Sequence, residues 1–89
     1  MRTPAFTKRF QKDVDLQRRR GKNLAKLRII LGSLINEEAL DQIHRDHKLV
    51  GDYIGRRESH VESDWLLIYK LSPGIVIFER TGSHSDLFR

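Results

Sequence analysis

Residues 57–65 concentrate the side chains that could carry chemistry. They place His60, Asp64 and Trp65 within six positions, where one extended run ends and the next begins. Imidazole and carboxylate groups are the usual proton donors and acceptors of enzymes. A junction between strands holds such groups on a rigid scaffold and leaves them open to a ligand. The stretch therefore predicts the rim of a site.

The hairpin that follows is expected to bring a second histidine to this rim. If a tight loop at residues 72–74 sets the register, Leu71 lies opposite Ile75. Continuing that register places Gly82 opposite Asp64. His84 is therefore predicted to return to the neighbourhood of the Asp64 carboxylate.

A second turn, at residues 62–63, is expected to set His60 against Trp65 at the same end of the sheet. Arg80 lies one or two residues from that end, and Phe88 follows closely enough to fold over it. Polar groups from separate segments are therefore predicted to converge on one site.

His47 is harder to place. A straight strand over residues 51–60 would be about 30 Å long, since each residue of a strand advances the chain by roughly 3.3 Å. His47 would then lie at the far end of the sheet, unless Gly51 or Gly55 bends the chain back. Local geometry alone does not assign His47 to the site.

The cluster could cleave an RNA phosphodiester bond without a metal. A base would take the proton of a ribose 2′-hydroxyl, the oxygen would attack the adjacent phosphate, and an acid would protonate the departing 5′-oxygen. Histidine, with an ordinary pKa of about 6.5, can serve in either role. Arg80 could stabilise the extra charge on the phosphorane, and Trp65 or Phe88 could stack a base.

Three other interpretations stay open. A metal site could use nearby carboxylates and the four histidines, which are His44, His47, His60 and His84. The chain has neither a cysteine nor a His-Glu-x-x-His pair, so we assign no metal ligands and expect no cofactor. The histidines could instead cap loops while Asp64 accepts backbone N–H groups. A binding module without catalysis would use the basic residues and leave the histidines idle.

The basic residues are concentrated in the first third of the chain. Lysine and arginine number 17 against 12 acidic residues, which gives a net charge of +5. Residues 1–28 hold ten basic and two acidic side chains, a net charge of +8, so residues 29–89 carry −3. Such a surface suits a polyanion such as RNA, although a solvated helix face would look the same. The residues assigned to RNA binding are Lys8, Arg9, Arg18, Arg19 and Arg20.

The length of 89 residues predicts one domain, residues 1–89, with a modest core. The absence of cysteine excludes a disulfide framework and suits a reducing cytoplasm. No apolar run approaches the roughly 20 residues of a membrane helix, and no signal segment is visible. We therefore expect a soluble, cytoplasmic protein with no membrane contact.

Apolar periodicity predicts two helices near the N-terminus. The first runs over residues 7–20, with Thr7 as its N-cap and Gly21 ending it. The second covers residues 22–36, where leucines recur at a spacing of three and four. A short helical turn is expected over residues 37–43.

The rest of the chain predicts strands. Residues 2–6 could form a short strand at a sheet edge, since their proline lacks an N–H. Residues 53–61, interrupted by a glycine, and residues 65–71 and 75–81 are rich in β-branched and aromatic side chains. The predicted fold is α+β, with two N-terminal helices packed on a small, mostly antiparallel, four-stranded sheet.

Three motifs in this order and spacing resemble a known family. They are DHKLVG at residues 46–51, HVESDWLLIY at residues 60–69 and ERTGSHSDLF at residues 79–88. They resemble the YafQ-like branch of the RelE/ParE superfamily, the toxins of bacterial type II toxin-antitoxin pairs. The resemblance extends over nearly the whole chain and implies a RelE-like fold.

The resemblance also implies a function. It implies an endoribonuclease that cuts mRNA on the translating ribosome, by metal-independent attack of the 2′-hydroxyl, and that a cognate antitoxin silences. Contact with operator DNA would occur only through the antitoxin, while the basic helices would hold ribosomal RNA. The active-site positions of the family fall on His47, His60, Asp64, Trp65, His84 and Phe88. His44 stands where the family often has an aromatic residue and is left outside the site.

His60 and His84 are the best candidates for general acid and base, and which of them is the base stays open. Asp64 would be a second proton-transfer group or would orient a histidine, with Arg80 as an electrostatic helper. Some members of the superfamily inhibit gyrase, and the histidines favour the ribonuclease branch. A non-catalytic toxin relative that binds RNA or protein remains the alternative.

Overall fold

The first helix begins at its predicted cap. In the computed structural model, which describes residues 1–88, α1 spans Lys8–Arg19 and the Thr7 side chain accepts a hydrogen bond from the Phe10 N–H. The helix ends before Gly21, as expected. The second helix, α2, spans Leu24–Ile35 and is capped by the Asn23 side chain. Both predicted helices are therefore confirmed, with ends one or two residues inside the predicted range.

Two short elements differ from the prediction. The helical turn expected over residues 37–43 is a single 3₁₀ turn, Gln42–His44, that begins at the Asp41 cap. The C-terminal segment contains a helix that was not predicted, α3, at His84–Leu87. Its only local signal is a capping box, in which Ser83 and Asp86 bond each other's backbone N–H.

The sheet has five strands and not the four predicted. They are β1 at Thr3–Phe6, β2 at His47–Lys48, β3 at Arg57–Glu62, β4 at Trp65–Ser72 and β5 at Ile75–Gly82. Their order is β1-β5-β4-β3-β2, with β1 parallel to β5 and the other pairs antiparallel. The missed strand is β2, which is too short to show a periodic pattern. Tyr53, predicted to begin a strand, lies instead in a 3₁₀ turn, Gly51–Tyr53.

Both predicted hairpin registers were wrong by one or two residues. Leu71 pairs with Val76 and not with Ile75, because the turn holds only the two residues between β4 and β5. An irregularity beyond Tyr69 then shifts the register again, so that Gly82 lies opposite Leu66. His84 nevertheless lies at the predicted end of the sheet, because α3, which begins with His84, follows directly after β5.

The β3–β4 hairpin shows the same displacement. Its two-residue turn is Ser63–Asp64 and not residues 62–63, so His60 pairs with Leu66 and not with Trp65. Because paired residues of neighbouring strands share a face, His60 lies on the face opposite to Trp65.

The two faces of the sheet are covered differently. The helix side carries the main core, in which Phe10, Leu27 and Ile30 pack against Trp65 and Phe78. On the other face, which we call the site side, a smaller cluster has Leu66, Ile68 and Leu87 at its centre, with Leu49 and Tyr53 against it. No helix of residues 1–88 is long and apolar enough to cross a membrane.

Candidate active site

Three histidines form a line across the site side of the sheet, which we call the histidine row: His47, His60 and His84. The ring centroids of His47 and His60 are 6.2 Å apart, and those of His60 and His84 are 6.1 Å apart. Phe88 continues the line at 6.3 Å from His84, and Tyr53 packs edge-on against Phe88 at 5.4 Å. The predicted convergence of histidines is present, with His47 included.

His47 reaches the row because the chain turns back before β3. Gly51 and Gly55 both have positive φ angles, 71° and 86°, which suit glycine far better than other residues. The loop between them lets β2 run antiparallel to β3, with His47 opposite Glu58. The straight strand that would have placed His47 far from the site does not form.

The imidazole of His47 is held in one tautomer. Its Nδ1 lies 2.7 Å from the Arg45 carbonyl oxygen. Since a carbonyl only accepts, Nδ1 must carry the proton, and Nε2 is left facing Glu58 at 3.5 Å. Arg45 itself has a positive φ of 44°, and this left-handed turn directs its carbonyl at the ring. His47 is half exposed, so a ligand can reach it.

Asp64 holds His84 through two bonds to one oxygen. Asp64 Oδ1 accepts from the His84 backbone N–H at 2.9 Å and from its ring Nδ1 at 2.6 Å. These contacts, the backbone bond first, lower the pKa of the Asp64 carboxyl below its ordinary value. The carboxylate therefore orients the ring and leaves Nε2 of the exposed imidazole for a substrate.

Glu58 is a site residue that was not predicted from the sequence. Its side chain is only 6% exposed, and Oε1 lies 3.3 Å from His60 Nε2 and 3.5 Å from His47 Nε2. The signal was present in the sequence, because alternation along a strand places Glu58 and His60 on the same face. The Glu58 carboxylate therefore lies within ion-pair distance of both imidazoles.

These three residues also form the one set within residues 1–88 that could hold a metal. One ligand atom from each of His47, Glu58 and His60 lies within 4.8 Å of the others. Two imidazoles and a carboxylate are a common donor set for divalent transition metals. The sequence analysis considered a metal site of histidines and nearby carboxylates but assigned no ligands, because the chain has neither a cysteine nor a His-Glu-x-x-His pair.

His60 and His44 contact each other across the edge of the site. His44 Nδ1 donates to the His60 carbonyl at 2.7 Å, so His44 supports the backbone of β3 and stays outside the histidine row, as predicted. His60 is 12% exposed, and its Nδ1 is buried without a partner among residues 1–88. The outer rings of the row are therefore much more accessible than the central one.

The prediction that Trp65 stacks a base is contradicted by its position. The indole is completely buried on the helix side, and its Nε1 donates to the Thr81 hydroxyl at 2.9 Å. It therefore belongs to the core and has no free face for a nucleobase. Phe88, at 42% exposed and adjacent to His84, keeps the geometry that base stacking requires.

Two arginines with predicted roles, Arg80 in catalysis and Arg20 in RNA binding, form ion pairs within the protein. Arg80 binds Asp13 of α1 at 2.7 and 3.2 Å and is largely buried, so it is not free to meet a phosphate. Arg20 makes a bidentate bond to Asp86 of α3, at 2.6 and 3.1 Å. Both tie helices to the strand and helix that carry the site. This structural use contradicts the predicted role of Arg80, while the RNA contact predicted for Arg20, whose side chain is 40% exposed, stays a prediction.

The other basic residues assigned to RNA binding are exposed. Within residues 1–88, no ion pair engages Lys8, Arg9 or Arg19, and Arg18 pairs only with the equally exposed Asp15. These four side chains remain available to a polyanion.

Comparison with known proteins places the chain in a family. The family model described as "Bacterial toxin of type II toxin-antitoxin system, YafQ" matches residues 2–89. The chain belongs to the YafQ family of type II toxins. It is 43% identical over 84 residues to the mRNA interferase toxin YafQ of Escherichia coli K12, covering 93% of this chain and 91% of the relative.

Solved structures of YafQ-like proteins agree with this fold. The E. coli DinJ-YafQ complex contains a chain that is 41% identical and superposes with a TM-score of 0.93, covering the whole of both chains. A metal-bound toxin from Helicobacter pylori is 34% identical with a TM-score of 0.92, covering 99% of this chain and all of that one. The predicted α+β, RelE-like class is confirmed.

Proposed function

We propose that this YafQ-family toxin is an endoribonuclease that cleaves mRNA on the translating ribosome by attack of the 2′-hydroxyl, without a metal. The observation that carries the proposal is the histidine row, in which two accessible imidazoles present Nε2 on either side of a third. RNA cleavage of this kind needs one group that removes a proton and another that supplies one. The mRNA interferase name of the E. coli relative supports the same substrate.

The geometry suggests a role for each member of the row. The sequence favoured His60 and His84 as the acid and base pair. Because His60 is only 12% exposed, we assign the pair instead to His84, oriented by Asp64, and His47, oriented by the Arg45 carbonyl. His60 lies between them beside Glu58, where its protonated form would stabilise the charge that develops on the phosphorane. Phe88 stacks a base of the substrate.

The proposed partners follow from the charge and from the relatives. The exposed basic residues of α1 contact ribosomal RNA, which confines cleavage to messages engaged by ribosomes and makes free RNA a poor substrate. A cognate antitoxin silences the toxin, as the DinJ-YafQ complex of E. coli suggests, and contact with operator DNA occurs only through that antitoxin. The site of action is the cytoplasm.

The test uses ribosomes programmed with a short defined mRNA. We expect the wild type to produce one new 5′ end and a 2′,3′-cyclic phosphate on the upstream fragment. A 2′-deoxy nucleotide at the cut position should abolish cleavage, since it removes the nucleophile. His84→Gln should slow cleavage about 100- to 10,000-fold, the usual contribution of a proton-transfer group.

The matched control is Glu38→Gln, which removes an exposed carboxylate outside the site. It should cleave at the wild-type rate. The proposal fails if the wild type blocks translation while the message stays intact, since that result would indicate a non-catalytic binder. It also fails if the deoxy substrate is cut, or if His84→Gln is fully active.

A second candidate function is inhibition by a transition metal at His47, Glu58 and His60. The donor atoms lie within 4.8 Å of one another, and a similar toxin from H. pylori is described as metal-bound. A metal there would occupy the Nε2 lone pairs that proton transfer requires. Glu58 would supply the oxygen ligand.

Calorimetric titration with Zn²⁺ and Cu²⁺ tests this candidate without reference to activity. We expect one site per chain, with Glu58→Gln weakening the affinity about tenfold or more. The variant Glu38→Gln should bind like the wild type. Stoichiometric binding that survives Glu58→Gln unchanged would place the metal elsewhere and exclude this function for the cluster.

A further inference from the structure

We propose that Asp46 is a positioning residue for His47. The hydrogen bonds of Asp46 anchor the start of β2 to the helix side of the sheet. The side chain of the following residue, His47, is thereby directed to the site side, opposite Glu58. This inference rests on the proposed nuclease function and deepens it, since it explains how His47, one of the proposed proton-transfer groups, is positioned.

The Asp46 carboxylate binds three donors from two strands. Oδ1 lies 2.7 Å from Arg57 Nε and 2.6 Å from Arg57 Nη2. Oδ2 accepts from the Ser59 hydroxyl at 2.5 Å and from the Tyr69 hydroxyl. The carboxylate is thus enclosed by charged and neutral donors, the arrangement in which hydrogen bonds to a carboxylate are strongest.

All three donors lie on the helix side. Arg57 pairs with Tyr69 across β3 and β4, and Ser59 follows two residues after Arg57, so their side chains share one face. Successive residues of an extended chain point to opposite faces. With Asp46 fixed on the helix side, His47 must therefore project into the site.

The anchor is needed because β2 is weak by itself. It pairs with β3 over only two residues, at the edge of the sheet, and it follows Arg45 in the left-handed region. Ser59 and Tyr69 are almost completely buried, so their hydroxyls would lose their acceptor if the loop moved away. The cost of leaving them unpaired holds Asp46, and hence His47, in place.

The burial around Asp46 also affects Tyr69. Burial first, and then the hydrogen bond to the Asp46 carboxylate, raise the pKa of the Tyr69 hydroxyl above its ordinary value. Tyr69 therefore stays protonated and remains a donor at neutral pH.

The test compares Asp46→Asn with Glu38→Gln, a carboxylate that borders the same surface groove but contacts none of the three donors. Asp46→Asn keeps the size of the side chain and loses the ion pair with Arg57. Two measurements are made: the ¹⁵N and ¹H resonances of the three histidine rings, and the single-turnover cleavage rate on programmed ribosomes.

We expect Asp46→Asn to shift the ring resonances of His47, while those of His84 stay unchanged. Cleavage should slow about 10- to 100-fold in the rate constant, with little change in KM, since the displaced group acts in the chemical step. Ser59→Ala, which removes one donor and leaves the ion pair, should give a smaller change of the same kind.

Unchanged His47 resonances in a folded Asp46→Asn protein would overturn the inference. So would an equal effect on His47 and His84, which would indicate a general loss of structure. If Asp46→Asn does not fold, the histidine ring resonances and the cleavage rate of Ser59→Ala test the inference in its place. If the wild type fails to cleave RNA at all, the nuclease proposal is wrong, while the resonances still decide whether Asp46 positions His47.

Discussion

At the scale of single residues, the site depends on which ring nitrogen each histidine presents. Arg45 fixes the proton of His47 on Nδ1, and Asp64 does the same for His84. Both therefore offer Nε2, although one partner is a backbone carbonyl and the other a carboxylate.

The burial of Trp65 predicts a loss of stability when the ring is removed. Trp65→Ala should lower the free energy of unfolding by about 3–5 kcal/mol, because it leaves a cavity in the core. Trp65→Phe keeps most of the packing and loses the bond to Thr81, a cost of about 0.5–1.5 kcal/mol. Urea denaturation followed by circular dichroism measures both.

Phe88→Leu provides the contrast, since that ring is exposed beside His84. It should slow cleavage without a comparable change in stability. A Trp65→Ala protein that is as stable as the wild type but no longer binds RNA would contradict the structural assignment of Trp65.

The site residues differ in whether their positions could be predicted from the sequence alone. His60, Asp64 and His84 meet because two short hairpins bring them together, and short hairpins are readable from turn residues even when the register is wrong by one. His47 and Glu58 were different. The return of β2 depends on the positive φ angles of Gly51 and Gly55 together with the Asp46 anchor. The hydrogen-bond partners of Asp46 are distant from it in sequence.

At the scale of elements, α3 is held to the end of α1 by the Arg20–Asp86 pair. The hydrogen bonds from Arg20 first, and then those from Ser83, lower the pKa of the Asp86 carboxyl well below its usual range. Asp86 also caps the helix that carries His84. A single carboxylate thus joins the basic helix to the segment that carries His84.

This pair predicts a pH-dependent contribution to stability. The folded pKa of Asp86 is lower than its unfolded value, so in the range between the two the unfolded state binds more protons. The stabilisation is therefore complete above the ordinary value of 3.8 and is lost as the pH falls through the folded pKa. Asp86→Asn should destabilise the protein at neutral pH, and the difference from wild type should shrink in acid.

Urea denaturation at a series of pH values measures this difference. Asp15→Asn is the control, since it removes the exposed partner of Arg18 and should have little effect at any pH. A constant difference between Asp86→Asn and wild type down to strongly acidic pH would contradict the assignment.

At the scale of the whole molecule, the α1 cations proposed to bind RNA lie apart from the histidine row. Lys8, Arg9, Arg18 and Arg19 are exposed on α1, while the histidine row lies on the other side of the sheet from the main core. Exposed cations are also present elsewhere, at Arg28 of α2 and at Arg45 and Lys48 beside His47. Docking and cleavage should therefore be separable by mutation.

A triple variant of Lys8, Arg9 and Arg19 to glutamine tests that separation. Ribosome binding should weaken, and its dependence on salt should become shallower. The slope of the logarithm of the binding constant against the logarithm of the salt concentration should decrease in magnitude by roughly 0.7–0.9 for each RNA phosphate that the variant no longer neutralises. Arg28→Gln on α2 is the matched control, since it removes an exposed charge outside the proposed interface.

Binding is measured by cosedimentation at several salt concentrations. Cleavage at saturating toxin should stay close to that of the wild type. An unchanged salt slope in the triple variant would show that α1 is not the docking surface.

The parallel pairing of β1 with β5 has a consequence for the order in which the nascent chain can fold. Thr3 lies beside Ile75, and Phe6 beside Phe78, so the first strand gains its partner in the sheet only when most of the chain has been synthesised. Contacts between residues so distant in sequence slow folding, because a large loop must close before they form. A ribosome making this toxin should therefore finish almost the entire chain before an active molecule exists beside it.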